Sequence, residues 1–258
     1  RFLEQTHIYI ATTAGTASEV TGNAVTVLAD RSNKMAVVSP YIYPNVAIVD
    51  AELTYSVPKL STAATGIDAF CHAAESYISV KATPHTRMYA SHALDIILSA
   101  LPRVVLDGGD TEARDLMARG SLFAGYTLAN AGTVMVHAMA HVLGARARIP
   151  HGIANALCLL PAMRFYVDRA PEKIAALADP LLVHDDVTGE QDRSRAALNT
   201  IEALIGGLGF DLDLQSYGVK RDDLRDMAEV TAATRRLMLQ SPVEATADEV
   251  EQLFQSIY

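Results

Sequence analysis

A mostly α chain led by a short fragment of sheet is the fold class this sequence predicts, and three observations carry the prediction. Short runs rich in Val and Ile are confined to residues 1–56. From Ser61 onward the apolar period turns helical. Half of the 258 residues are apolar, which supplies enough material for a sizeable core.

The elements follow in order. His7 to Ala11, Ala24 to Leu28, Met35 to Val38 and Val46 to Val49 read as four strands separated by Gly, Asn, Asp and Pro. They make part of a sheet, too little for a domain, so the expected division falls between 1–56 and an all-helical 57–258. Within the second region Ala90, Ala93, Leu94, Ile97 and Leu101 follow a helical period, and Ala197, Ile201, Leu204, Ile205 and Leu208 repeat it. Asp185 to Ser194 is polar enough to predict an exposed connection. Gly206-Gly207-Leu208-Gly209 follows an amphipathic helix instead of a strand and reads as a helix stop, not a nucleotide loop. Thr246 followed by Glu249 is a capping box that opens a last helix with Val250, Leu253, Phe254 and Ile257 on one stripe, and that end reads as complete. The other end starts at Arg1 without a methionine or signal-peptide pattern and reads as the middle of something longer.

Composition narrows the partners. Against 21 basic residues stand 30 acidic ones, and no Lys/Arg cluster offers the field that draws proteins to nucleic acid or anionic lipid. The most continuous apolar run, Ile153 to Leu160, stops at Pro161, short of the roughly 20 residues a bilayer span requires, so no membrane partner is expected. Cys71 and Cys158 form neither a disulfide framework nor a C-x-x-C pair, which fits a reducing cytoplasm.

Two places could carry chemistry. Asp68 and His72 stand four apart, one helical turn, and could grip one ion, although a surface ion pair at this spacing is common. His137, His141 and His151 place three of the eight histidines within fifteen largely apolar residues, where each buried ring needs a partner and a shared metal supplies one. Gly144 and Pro150 predict a helix break, so that His151 approaches from a separate element. The residues between His137 and His141 are Ala138, Met139 and Ala140, which excludes the H-E-x-x-H pattern of metalloproteases. Near the start, Thr12, Thr13, Thr16 and Thr21 belong to a hydroxyl-rich run around Gly15 that suits either a phosphate, ribose or carboxamide, or simply its own backbone.

Taken in order, Thr-Thr-Ala-Gly-Thr-Ala-Ser-Glu-Val-Thr at 12–21, Gly-Ile-Asp-Ala-Phe-Cys-His at 66–72, His-Ala-Met-Ala-His-Val-Leu-Gly at 137–144 and Pro-His-Gly at 150–152 resemble the iron-dependent (group III) alcohol dehydrogenases from about Ile8 to Tyr258. The resemblance implies a dehydroquinate synthase-like helical C-terminal domain, preceded by a remnant of an α/β nucleotide-binding domain whose glycine-rich part is absent. It further implies that Asp68, His72, His137 and His151 ligate Fe2+, which Zn2+ can displace. His141 then stands between metal and nicotinamide, and Thr12, Thr13, Thr16, Thr21 and Lys34 contact NAD or NADP. The implied reaction passes hydride between a small alcohol or aldehyde and the cofactor in a homodimer. Four protein ligands close a tetrahedral zinc site, whereas iron(II) takes a fifth or sixth, which favours iron. Leu128 stands where relatives look aromatic and reshapes the expected pocket. Two other readings stay open: a glycerol dehydrogenase-like or maleylacetate reductase-like enzyme, and a metal-binding domain without catalysis.

Overall fold

The computed structural model describes residues 6–30, 33–183 and 187–258. The expected start at Arg1 to Gln5 lies outside the described residues, as does the first part of the polar connection, with Asp185. Strand β1 (Ile8–Ala11) pairs in parallel with β4 (Val46–Val49), while β2 (Asn23–Val27) and β3 (Lys34–Val38) form an antiparallel hairpin. The four expected strands are therefore present, but as two two-stranded sheets. The parallel pair needs a crossover, and the intervening hairpin turns away to pair with itself.

Five long helices form the core: α1 (Lys59–Ile78), α2 (Pro84–Leu106), α3 (Thr111–Ala131), α4 (Met135–Arg146) and α5 (His151–Arg169). Thr83 accepts from Thr86 N–H in a capping box with Pro84 in the first turn, which fixes the start of α2. By length and composition α2 is long and apolar enough to cross a membrane, although polar residues interrupt its apolar run. Its Ala93, Leu94, Ile97 and Leu101 are instead fully buried against α1 and α3, the environment of a core helix. Helices α6 (Pro171–Ala175), α7 (Glu190–Gly206), α8 (Leu224–Ala232), α9 (Arg235–Met238) and α10 (Ala247–Gln255) pack against α4 and α5.

Three local expectations shift. Glu190 to Ser194 belongs to α7, because two acidic residues in its first turn suit a helix N-terminus and Ser194 is buried against Pro171. Pro161 lies inside α5, whose packing on α1, α4 and α7 tolerates the missing hydrogen bond. Gly144 stays within α4, while the break expected between His141 and His151 is present at 147–150. As expected, α7 stops at Gly206, and the Thr246–Glu249 capping box opens α10. The crossing of α1 and α5 sets up everything that follows: a Cβ on Gly152 would lie 1.8 Å from Ala64 O, so only glycine lets the two backbones come this close.

Candidate metal centre

That crossing brings the start of α5 beside the middle of α1. Asp68 Oδ1 lies 3.5 Å from His72 Nε2, 3.6 Å from His137 Nε2 and 3.5 Å from His151 Nε2. Asp68 and His72 come from successive turns of α1, His137 from the first turn of α4, and His151 from the first residue of α5. Three elements thus aim the same ring nitrogen at one carboxylate oxygen. The candidate ligand atoms of Asp68, His72 and His137 lie within 4.8 Å of one another. All three residues are buried, whereas the His151 side chain keeps 31% of its surface open toward a pocket.

The electrostatics match a cation-binding arrangement. Burial opposes ionisation of Asp68, yet the surrounding imidazoles together hold its carboxyl well below the usual carboxylate range. Burial likewise works against a charge on His137, but Glu75 and Asp68 overcome it and push that imidazole up to about 9. His72 is lowered by burial, and His151 falls to about 4 for the same reason, with neighbouring His137 adding to the shift despite the pull of Asp68. Three imidazole nitrogens facing one ionised carboxylate make a donor set that suits a divalent metal, whose binding would displace the proton that His137 holds near neutral pH. The residues present therefore fit such an ion.

His141 sits one turn beyond His137 with its ring centroid 6.1 Å from that of His137 and 5.7 Å from that of His151. It makes no close approach to Asp68 and borders the cluster instead of joining it. Burial depresses its pKa well below the ordinary imidazole value.

A cavity of about 560 Å³ opens above the cluster, lined among others by Thr16, Thr21, Lys34, Leu128, His141 and Arg236. Of the expected cofactor residues, the structure brings Thr16, Thr21 and Lys34 to this cavity together with Asp68, His72, His137 and His151. Thr12 and Thr13 follow β1 directly and lie outside its lining. Lys34 leans over α4: a Cβ on Gly144 would fall 2.7 Å from Lys34 Nζ, so a larger residue there would push the lysine tip aside. Burial lowers the Lys34 pKa, and Asp68 pulls it back.

Two residues of the site were not anticipated. Asn155 is fully buried on α5, one turn after His151, and donates from Nδ2 to Asp68 Oδ1 at 2.7 Å, while its Oδ1 has no hydrogen-bond partner. Glu75 is fully buried on α1 and bonds His137 Nδ1. A signal for Glu75 existed, since 68, 72 and 75 fall on one helical stripe. For Asn155 the only cue was its place four residues after His151.

Residues 62–258 match the profile of the Fe-containing alcohol dehydrogenase family, C-terminal, and residues 4–51 match that of iron-containing alcohol dehydrogenase. This chain belongs to the iron-containing alcohol dehydrogenase family. It is 36% identical to the sulfoacetaldehyde reductase of Bilophila wadsworthia over 96% of its own length and 65% of that protein. It is also 35% identical to the lactaldehyde reductase of Escherichia coli K12, over 96% and 64%. A crystal structure of a 1,3-propanediol oxidoreductase superposes with a TM-score of 0.91 at 36% identity, covering 97% of this chain and 65% of that one. The chain thus spans less than two thirds of the length of these relatives. Membership accounts for the mostly helical architecture and the few strands that precede it.

Proposed function

We propose that this chain forms the metal-binding and substrate-facing part of an NAD(P)-linked alcohol dehydrogenase or aldehyde reductase. The observation that carries the reading is the convergence of His72, His137 and His151 Nε2 on Asp68 Oδ1 at the floor of a cavity that also holds His141, Thr16, Thr21 and Lys34. Asp68, His72, His137 and His151 hold a divalent ion, Fe2+ in preference to Zn2+. Such an ion, when bound, would supply a positive charge to polarise the oxygen of a small alcohol or aldehyde.

The chain's own groups do the rest. Burial keeps His141 neutral, so its ring can accept or relay a proton at the cavity wall and orient a nicotinamide. The Thr16 and Thr21 hydroxyls and the Lys34 ammonium offer donors to a ribose or phosphate, and Lys34 brings positive charge where Asp68 is the only carboxylate that the described residues place in the lining. Leu128 trims the substrate side of the cavity. We place the protein in the cytoplasm, consistent with the free, buried Cys71 and Cys158, and assign it a homodimeric state. Residues 1–56 are assigned to the nucleotide-binding domain and 57–258 to the metal-binding domain.

Elemental analysis after expression with supplemented Fe2+ or Zn2+ tests the reading, with about one ion per chain expected and its loss to chelator. Absence of any divalent metal would sink it. Titration with NADH and NADPH, followed by nucleotide fluorescence, tests the second half. Metal without saturable nucleotide binding at millimolar concentration would favour a non-catalytic metal-binding domain.

A further inference from the structure

Glu75 is a carboxylate with no exposed surface, deep between α1 and α4, and among the described residues no Lys or Arg pairs with it. Its acceptors are nevertheless filled. Oε2 accepts from Val134 N–H at 2.7 Å and His137 N–H at 3.3 Å, and Oε1 bonds His137 Nδ1. Val134 is the N-cap of α4 and offers no side-chain cap of its own, so a side chain from α1 caps the helix that carries His137. A negative group at this end also complements the helix dipole.

We infer that Glu75 is a positioning residue that fixes both the backbone start of α4 and the ring of His137, committing Nδ1–H to Glu75 so that the Nε2 lone pair faces Asp68. The inference rests on His137 being a metal ligand, as proposed above. An imidazole carries one ring proton when neutral, and whichever nitrogen donates it cannot ligate. Asp68, His72 and Glu75 occupy one stripe of α1, so a single helix supplies two ligand candidates and the group that orients a third.

A carboxylate is needed because it only accepts. In Glu75→Gln the amide can turn two ways. With NH2 toward Val134 and His137 N–H, both main-chain bonds are lost. With NH2 toward His137 Nδ1, the ring must accept there and move its proton to Nε2, which removes the ligating lone pair. Either orientation damages the site while preserving side-chain volume.

The test compares Zn2+ affinity by chelator competition, and the visible spectrum with Co2+ as probe, for the wild-type chain, Glu75→Gln and Ile97→Val. The last is a core substitution between α2 and α3 that lowers the melting temperature for purely structural reasons. Glu75→Gln should bind Zn2+ about 10- to 100-fold more weakly with an altered Co2+ spectrum, whereas Ile97→Val keeps the wild-type affinity and spectrum. Affinity within about twofold of wild type and an unchanged spectrum would overturn the inference. Should Glu75→Gln not fold, nitrogen NMR of Zn2+-loaded wild type decides: a protonated Nδ1 and metal-bound Nε2 at His137 uphold the assignment, and metal on Nδ1 refutes it. A wild-type chain that takes up no Zn2+, Fe2+ or Co2+ would defeat the metal reading itself, and this inference with it.

Discussion

The strands at 8–49 and the helices from 59 onward are built from equally apolar residues and end in opposite environments. Ile8, Ile10, Val25 and Val37 are each more than half exposed, while Ile67, Leu94, Ile97 and Leu143 are fully buried. An apolar run becomes core only where other elements cover it, and the two small sheets leave much of their surface uncovered. The candidate site straddles this difference. Its floor, Asp68, His72 and His137, belongs to the interlocked helices, whereas Thr16, Thr21 and Lys34 hang from the strand region. The comparison predicts that substitutions in the helical part abolish metal binding or folding, and that those in the strand part touch only nucleotide binding.

The largest effect is expected at Asp68. Asp68→Ala removes the one oxygen that faces three ring nitrogens, and metal content should fall from about one ion per chain to near zero. Retention of stoichiometric metal would break the contrast between the two regions. Gly152→Ala follows: with Ala64 O at 1.8 Å from the new Cβ, the α1–α5 crossing must open, costing about 1–3 kcal/mol of stability and weakening metal binding together. A thermal melt and metal analysis on one preparation check both.

Metal-free protein should show its polar floor through pH. His137, raised to about 9, contributes stability that is full below the unfolded imidazole value of about 6.5 and is lost as pH rises through about 9. His151, lowered to about 4, resists a proton that the unfolded chain takes up, so stability falls as pH drops from about 6.5 to about 4. The depressed Asp68 carboxyl adds to the acid loss. The melting temperature of the chelated chain should therefore peak near neutrality, and His137→Ala should flatten the alkaline side. An unchanged alkaline limb in that variant would reassign it.

Much of the helical part could be read from residues alone, because a helix is local: the stripe through Ala90, Leu94, Ile97 and Leu101, the Thr246–Glu249 cap, and the turn from Asp68 to His72 each need only neighbours in sequence. What escaped depends on distant partners. Sheet order was hidden because β1 pairs with β4 across an intervening hairpin. Gly144 looked like a helix break because nothing local shows that Lys34 rests on it. Glu75 looked like an ordinary helix carboxylate until α4 brought Val134 and His137 to it, and Asn155 until α1 brought Asp68.

The smallest effects should come from the wall of the cavity, where His141 and Lys34 divide the two regions most sharply. His137 and His141 lie on one face of α4, yet only His137 approaches Asp68. His141→Ala should therefore keep its metal and lose nicotinamide positioning, whereas His137→Ala loses the metal. Lys34→Ala is milder still. Its ammonium lies over Gly144 and is paired with no carboxylate among the described residues, so removing this half-buried side chain breaks no ion pair and should leave the melting temperature and metal content close to wild type, a change of about 0.5 kcal/mol. What it takes away is a charged donor in a cavity where, among the described residues, Asp68 is the only carboxylate. NADH or NADPH affinity should then weaken by roughly tenfold, the loss of one charge-assisted contact of about 1.4 kcal/mol. Fluorescence titration at low and high salt measures it, and the difference from wild type should shrink as salt screens the missing charge. If Lys34→Ala instead released metal at unchanged nucleotide affinity, the strand region would be serving the floor of the site and not its mouth.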